Sequence, residues 1–180
     1  MNKILLNFII LGSEQRLQKL SFFKTDTHES VHPLNFNHKE EIVTMLDMLI
    51  ANADGNIIIL LPPGCQPTQS ARKTLKKMAL INQPSWGWFA FNSRRKNFLQ
   101  HLKKANTFLR HIPSLEQGIF FSKDLYFSLG GIGAINLMPF EEIAKRLYSR
   151  IDPQKTLPAL IIRSKAVSYT HLTLPTIPGV

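Results

Sequence analysis

Two apolar runs, Ile4 to Leu11, broken only by Asn7, and Asn56 to Leu61, constrain this chain most. A strand buried on both faces has no polar alternation and reads as a continuous run of Ile, Leu and Phe. Between the runs, Glu40 to Ala53 places Ile42, Val43, Met45, Leu46, Leu49 and Ile50 at helical spacing, and Asp54-Gly55 ends that segment. Strand, helix, glycine turn and strand make a βαβ rhythm. The expected fold class is therefore α/β, with a Rossmann-like, mostly parallel sheet flanked by helices.

The stretch Ser21 to Lys39 is polar and uneven, and is expected to be a solvated loop. It carries His28, His32 and His38. A spacing of four would align His28 and His32 on a helix as a metal pair needs, but Pro33 disfavours helix at His32 and no cysteine completes a set. Beyond the second apolar run, Ser70 to Leu80 reads as a short helix with Ser70 as N-cap and Arg72, Lys73, Lys76 and Lys77 outward. Pro84 to Phe91 alternates and is aromatic, as a strand with one polar or ligand-facing side would be. Arg94 to Ile112 is an amphipathic basic segment. Its cationic side either contacts anionic lipid or nucleic acid or is simply solvated. No recognised nucleic-acid motif accompanies it, and specific nucleic-acid binding is not expected.

From Leu115 to Gly131 the chain reads as a polar turn, a buried apolar run, a short helical turn and a glycine pair needing positive φ. Pro139 opens a helix to Arg150 with Phe140, Ile143, Ala144 and Leu147 inward. Leu157 to Ile162 is expected as a last buried strand.

The chain has 180 residues and a formal net charge of +10, which suits one domain and favours anionic partners. Cys65 is the only cysteine, so no internal disulfide forms, and a reducing, cytoplasmic setting is expected. No stretch approaches the roughly 18 apolar residues that span a bilayer. Residues 166–180 change composition abruptly and resemble a translated sequencing adaptor. The expected domain is therefore residues 1–165, and the sheet is expected to be incomplete at its C-terminal end.

The segments Leu115-Glu116-Gln117-Gly118, Gly130-Gly131, Asn136-Leu137-Met138 and Ile143 to Leu147 resemble the second half of a short family 2 glycosyltransferase. The likeness is to the small single-domain branch that includes arsenosugar-biosynthesis-type enzymes. That family has a Gly-Asp-Gln-Gly-type turn, a helix ending in Gly-Gly, and a Leu-Met-Glu-Asp segment opening an Arg- and Leu-rich helix. Over residues 42 to 165 the resemblance implies a GT-A-like fold and sugar transfer, of hexosyltransferase type, from a nucleoside diphosphate sugar to an acceptor.

It also implies roles. Glu142 or Glu141 would be the base that deprotonates the acceptor hydroxyl, and Glu116, Gln117 and Gly118 would position the acceptor. Trp86 and Trp88 stand in the strand that floors the acceptor site, where a tryptophan either stacks on a sugar or packs in the core. A divalent cation, manganese or magnesium, would bridge the diphosphate through an aspartate at the end of the second apolar strand. Gly64 stands at that position, which removes the ligand. Asp26 is a candidate for the family's second-strand aspartate. Two further functions follow from these departures: a catalytically inactive relative kept as a binding or regulatory module, and a basic surface-binding protein for anionic lipid or nucleic acid.

Overall fold

The structure, a computed structural model, describes residues 3–18, 23–35, 39–91, 107, 112–131 and 139–162. The strands are β1 (Leu6–Gly12), β2 (Glu29–Asn35), β3 (Ile57–Leu61), β4 (Cys65–Gln66), β5 (Trp86–Trp88), β6 (Ile119–Ser122) and β7 (Ile161–Ile162). The helices are α1 (Glu14–Gln18), α2 (Lys39–Ala51), α3 (Gln69–Ile81), α4 (Lys123–Ser128) and α5 (Pro139–Arg150), and a 3₁₀ turn spans Leu115–Gln117.

Five strands form one sheet in the order β2-β1-β3-β6-β5. β1 pairs in parallel with both β2 and β3, whereas β6 is antiparallel to β3 and to β5. Hence β2, β1, β3 and β5 run one way and β6 runs against them. The fold is α/β with a mixed, mostly parallel sheet flanked by helices, as the two apolar runs require. Both runs are inner strands, and every residue of β1 and β3 is buried.

Alternate side chains of these strands feed two cores. On one face Ile9, Leu11, Ile58, Leu60 and Phe121 meet Leu46 and Ile50 of α2, Tyr126 of α4, and Ile143, Ala144 and Leu147 of α5. On the other, Phe8, Ile10, Ile57, Ile59 and Phe120 meet Ala71, Leu75 and Ala79 of α3 and Leu157 and Leu160. This is a three-layer α/β/α arrangement.

Several local expectations change. The expected loop over 21–39 contains β2, which tolerates polar residues because it is an edge strand. Ser30 donates to Asn7 Oδ1 (2.8 Å) and Leu34 enters the core. Pro33 is accommodated at that edge. Thr68, not Ser70, caps α3, with Oγ1 accepting from the Ala71 amide at 3.2 Å.

Arg72 points inward and is 5% exposed, against the expectation of a solvated basic row. Leu157 to Ile162 is not a strand of the main sheet. Leu157 bridges Phe89, and the exposed Ile161 and Ile162 pair antiparallel with β4. The turn, strand, short helix and glycine pair expected over 115–131 are present, with φ of 78° at Gly130 and 73° at Gly131. The basic segment 94–112, apart from Thr107 and Ile112, lies outside the described residues, as do His38, Ile132 to Met138 and the tail 166–180. Among the described residues no helix is long and apolar enough to cross a membrane.

Candidate functional site at the carboxyl edge of the sheet

Because four strands share a direction, their C-terminal ends open onto one edge, and the antiparallel β6 begins there. In open α/β sheets ligands bind in the crevice outside the carboxyl ends of the strands. The chain delivers to this edge Gly12-Ser13, Asn35, Pro62 to Gln66, Phe89 and the segment 112–118.

Pro62 to Cys65 is a tight turn. The Cys65 amide donates to Pro62 O at 3.4 Å, Pro63 occupies its first corner, and Gly64 its second with φ 77°. That is the type II pattern, which needs positive φ and therefore glycine at the second corner. The turn rests on the exit of β1, where a Cβ at Gly12 would lie 2.7 Å from Pro63 Cγ. Behind it, Cys65 is buried. Burial first, and the Glu116 carboxylate second, push its thiol up to about 11. It is a protonated, inert thiol at neutral pH.

The second loop meets the first. Gly118 has φ 61°, and a Cβ there would lie 3.0 Å from Leu60 O and 3.1 Å from Leu61 Cδ2, so only glycine lets the start of β6 approach the end of β3. Glu116 is exposed at this corner.

Gln117 does not face a ligand. It is 2% exposed, its Nε2 donates to Phe89 O (3.2 Å), and its Oε1 accepts from Thr107 Oγ1 (3.0 Å) and the Ser114 amide (3.0 Å). Three of the four hydrogen bonds an amide side chain can make go to the protein, so Gln117 braces the loop.

Trp86 and Trp88 are core residues too. Trp86 is fully buried, its Nε1 donates to Ile151 O at 2.8 Å, and it packs against Trp88 with ring centroids 5.7 Å apart. With Trp86 in the core and the indole N–H already used, neither stacks on a sugar at the surface.

Compared with known proteins, the chain matches no protein-family model and no curated protein.

The acidic pair of α5 lies on a helix packed over one face of the sheet. Glu141 is exposed, and Glu142 accepts from Arg146 Nε at 3.1 Å one turn on, while Arg146 Nη1 reaches Gly131 O at 3.2 Å. Among the described residues, no set of ligands for a divalent cation is assembled at the edge. Gly64 has no side chain, Cys65 holds its proton, and no group of three His, Cys, Asp or Glu able to hold a metal occurs among the described residues. His28 Nδ1 lies 2.9 Å from Lys3 O and His32 Nε2 lies 3.1 Å from Ser30 Oγ, so both rings have structural hydrogen bonds. Since the Ser30 hydroxyl is already donated to Asn7, His32 Nε2 is the donor in its contact.

Sequence reasoning missed the most strongly built polar group. Glu29 Oε2 accepts from Arg72 Nη1 at 2.8 Å, Lys76 lies 2.9 Å from Glu29 Oε1 and also pairs with Asp26, and Arg72 Nη1 donates to Lys24 O at 3.1 Å. Asp26 is thereby an ion-pair partner. No local periodicity marks this cluster, because its charges come from a strand, the turn before it, and a helix more than forty positions away.

Proposed function

We propose that this chain is a glycosyltransferase-like protein that binds a nucleoside diphosphate sugar across the carboxyl edge of its sheet and offers the sugar to an acceptor hydroxyl. The observation that carries the reading is the meeting of two segments distant in sequence, Pro62 to Cys65 and Leu115 to Gly118. Both are singled out by the family 2 resemblance, and they share one corner of that edge. The GT-A-like assignment rests on the same resemblance and on a sheet whose parallel half supplies the edge. A reducing, cytoplasmic setting belongs to this reading, since the single cysteine is buried and unpaired.

The chemistry would break the bond from the sugar's anomeric carbon to the diphosphate oxygen and form one to the acceptor oxygen. The acceptor proton would pass to Glu142 or Glu141, and the nucleoside diphosphate would leave. A base must come within hydrogen-bond reach of that proton. Glu142 would have to release Arg146 to do so, which makes the exposed Glu141 the freer of the two. The net charge of +10 favours the anionic donor and leaving group.

A second reading, an inactive relative retained as a binding module, is favoured by Gly64. The turn that should present a metal ligand is built around a residue without a side chain. Titration calorimetry with uridine and guanosine diphosphate sugars, with and without manganese, tests both. Binding that tightens with manganese, together with sugar transfer, supports the enzyme. Metal-free binding without turnover supports the module. Salt-sensitive binding to anionic vesicles or RNA alone rejects both in favour of a basic surface-binding protein.

A further inference from the structure

On the outward face of α3, bare aliphatic side chains coincide with unopposed positive charge. Ala71, Leu75 and Ala79 take the inward positions, so Lys73, Lys77, Leu80 and Ile81, spaced i, i+4, i+7 and i+8, form one stripe on the other side. Both lysines are exposed. Leu80 is 71% and Ile81 63% exposed, the two highest values among the large hydrophobic residues described. A single exposed aliphatic side chain is ordinary, whereas an adjacent pair bordered by lysines is the arrangement of a contact surface.

The exposure is built into the helix end. Asn82 stops α3 in the left-handed conformation at φ 56°, its amide donating to Met78 O at 3.1 Å, and its side-chain oxygen accepts from Asn56 Nδ2 just before β3. The last turn is thereby pinned to the amino end of the sheet with Leu80 and Ile81 outward. The charge along the stripe is of one sign. No Asp or Glu occurs between Asp54 and Glu116. The acids that α3 does meet, Asp26 and Glu29, are paired with Lys76 and Arg72, and no ion pair among the described residues engages Lys73 or Lys77.

We propose that this stripe docks the protein on an anionic membrane surface, with Leu80 and Ile81 entering the acyl boundary and Lys73 and Lys77 meeting lipid phosphates. The combination selects that partner. Nucleic acid would use the lysines but leave two aliphatic side chains without a counterpart. A symmetric second copy would cover the aliphatic pair only by setting the lysines against their own equivalents. An anionic lipid layer answers both, because long lysine stems let the ammonium groups stay among the phosphates while the shorter aliphatic chains enter the hydrocarbon. The inference is independent of the proposed function, since α3 ends at the amino end of the sheet and leaves the carboxyl edge free. It also differs from a lipid contact through the basic segment 94–112, which contains none of these four residues.

The test is co-sedimentation of the full chain with phosphatidylcholine vesicles, with and without phosphatidylglycerol, at low and high salt. The wild type is expected to bind only the anionic vesicles, and less at high salt. Leu80→Ser combined with Ile81→Ser is expected to weaken binding roughly tenfold or more. Lys73→Gln combined with Lys77→Gln is expected to weaken it by about tenfold and to flatten the salt dependence. All four positions are exposed, so both variants should melt as the wild type does. As a second readout, Leu80→Cys carrying an environment-sensitive fluorophore should shift to the blue on anionic vesicles, Cys65 being buried. Absence of binding to anionic vesicles overturns the proposal, as does a fluorophore whose emission does not move. So does binding undiminished in the serine variant, which would assign the contact to another basic surface. A wild-type oligomer that the serine variant disperses, without vesicle binding, would instead make the stripe an interface between copies and overturn it equally.

Discussion

Two buried polar corners flank the same sheet and are built on opposite logic. In the α3 corner, Glu29 is fully buried and Arg72 nearly so, and their charges are matched by each other, by Lys76 and by Asp26, with the guanidinium 4.7 Å from the Phe23 ring and 5.5 Å from that of Phe8. At the carboxyl edge the described buried polar side chains are neutral: Gln117 makes three hydrogen bonds to the protein, and Gln66 Oε1 and Ser114 Oγ find no partner among the described residues. Buried charge is tolerated only when compensated, so the first corner is committed to holding α3 against β2. The second is held by neutral hydrogen bonds and by the backbone freedom of Gly64 and Gly118, and a neutral group left unpaired costs far less than an unpaired charge.

Glu29→Ala should break this comparison most severely. Stranding Arg72 in a buried setting, with Lys76 left to Asp26 alone, is expected to cost about 3–5 kcal/mol, read by urea unfolding, whereas a loss below ~1 kcal/mol would mean the α3 corner is not held by charge. Gly118→Ala should cost about 1–3 kcal/mol, because a Cβ at φ 61° also meets Leu60 O. Its effect should appear in both melting temperature and ligand binding, since it separates the two loops of the edge. Gly64→Asp introduces, at the turn, the carboxylate expected of a family 2 glycosyltransferase under the proposed function. At φ 77° it is expected to destabilise by roughly 1–2 kcal/mol and to leave manganese affinity unchanged in calorimetry.

The pH dependence sharpens the contrast. The Lys76 hydrogen bond holds the Asp26 carboxyl below its ordinary value. A depressed folded pKa contributes stability that is present above the ordinary carboxylate range and is lost as pH falls through the folded value. Asp26→Asn should therefore flatten the acid limb of stability against pH, modestly because the carboxylate is half exposed. The smallest expected effect is at the other corner. Glu116→Gln removes the lesser of the two influences raising the Cys65 thiol. Iodoacetamide labelling of the native protein at a fixed alkaline pH should become slightly faster, with the rate still dominated by burial.

The inner strands were readable because burial on both faces leaves Asn7 as the single polar residue of β1 and none in β3, and α2 because its apolar stripe has one period throughout. β2 was unreadable for the complementary reason. As an edge strand with Glu29, Ser30 and His32 on it, its character depends on Arg72, Lys76 and Asn7, none of them its sequence neighbours. At the site, Gly118 declared itself as a point of close backbone approach. Gln117 did not declare itself as a brace, because an amide beside an exposed carboxylate looks the same in sequence whether its partners are a ligand or Phe89 O and Thr107.

Local patterning alone therefore settled the α/β class, the order of the principal elements, and the turn, strand, helix and glycine pair over 115–131, since each depends on the spacing of apolar residues or on the backbone freedom of glycine. Tertiary structure alone decided that Trp86 and Arg72 turn inward, that Glu29 is paired with Arg72 and Lys76, and that Gln117 is buried against Phe89 O. Whether a polar group is buried, and what it meets there, is set by segments far apart in the chain, and no local pattern encodes that pairing.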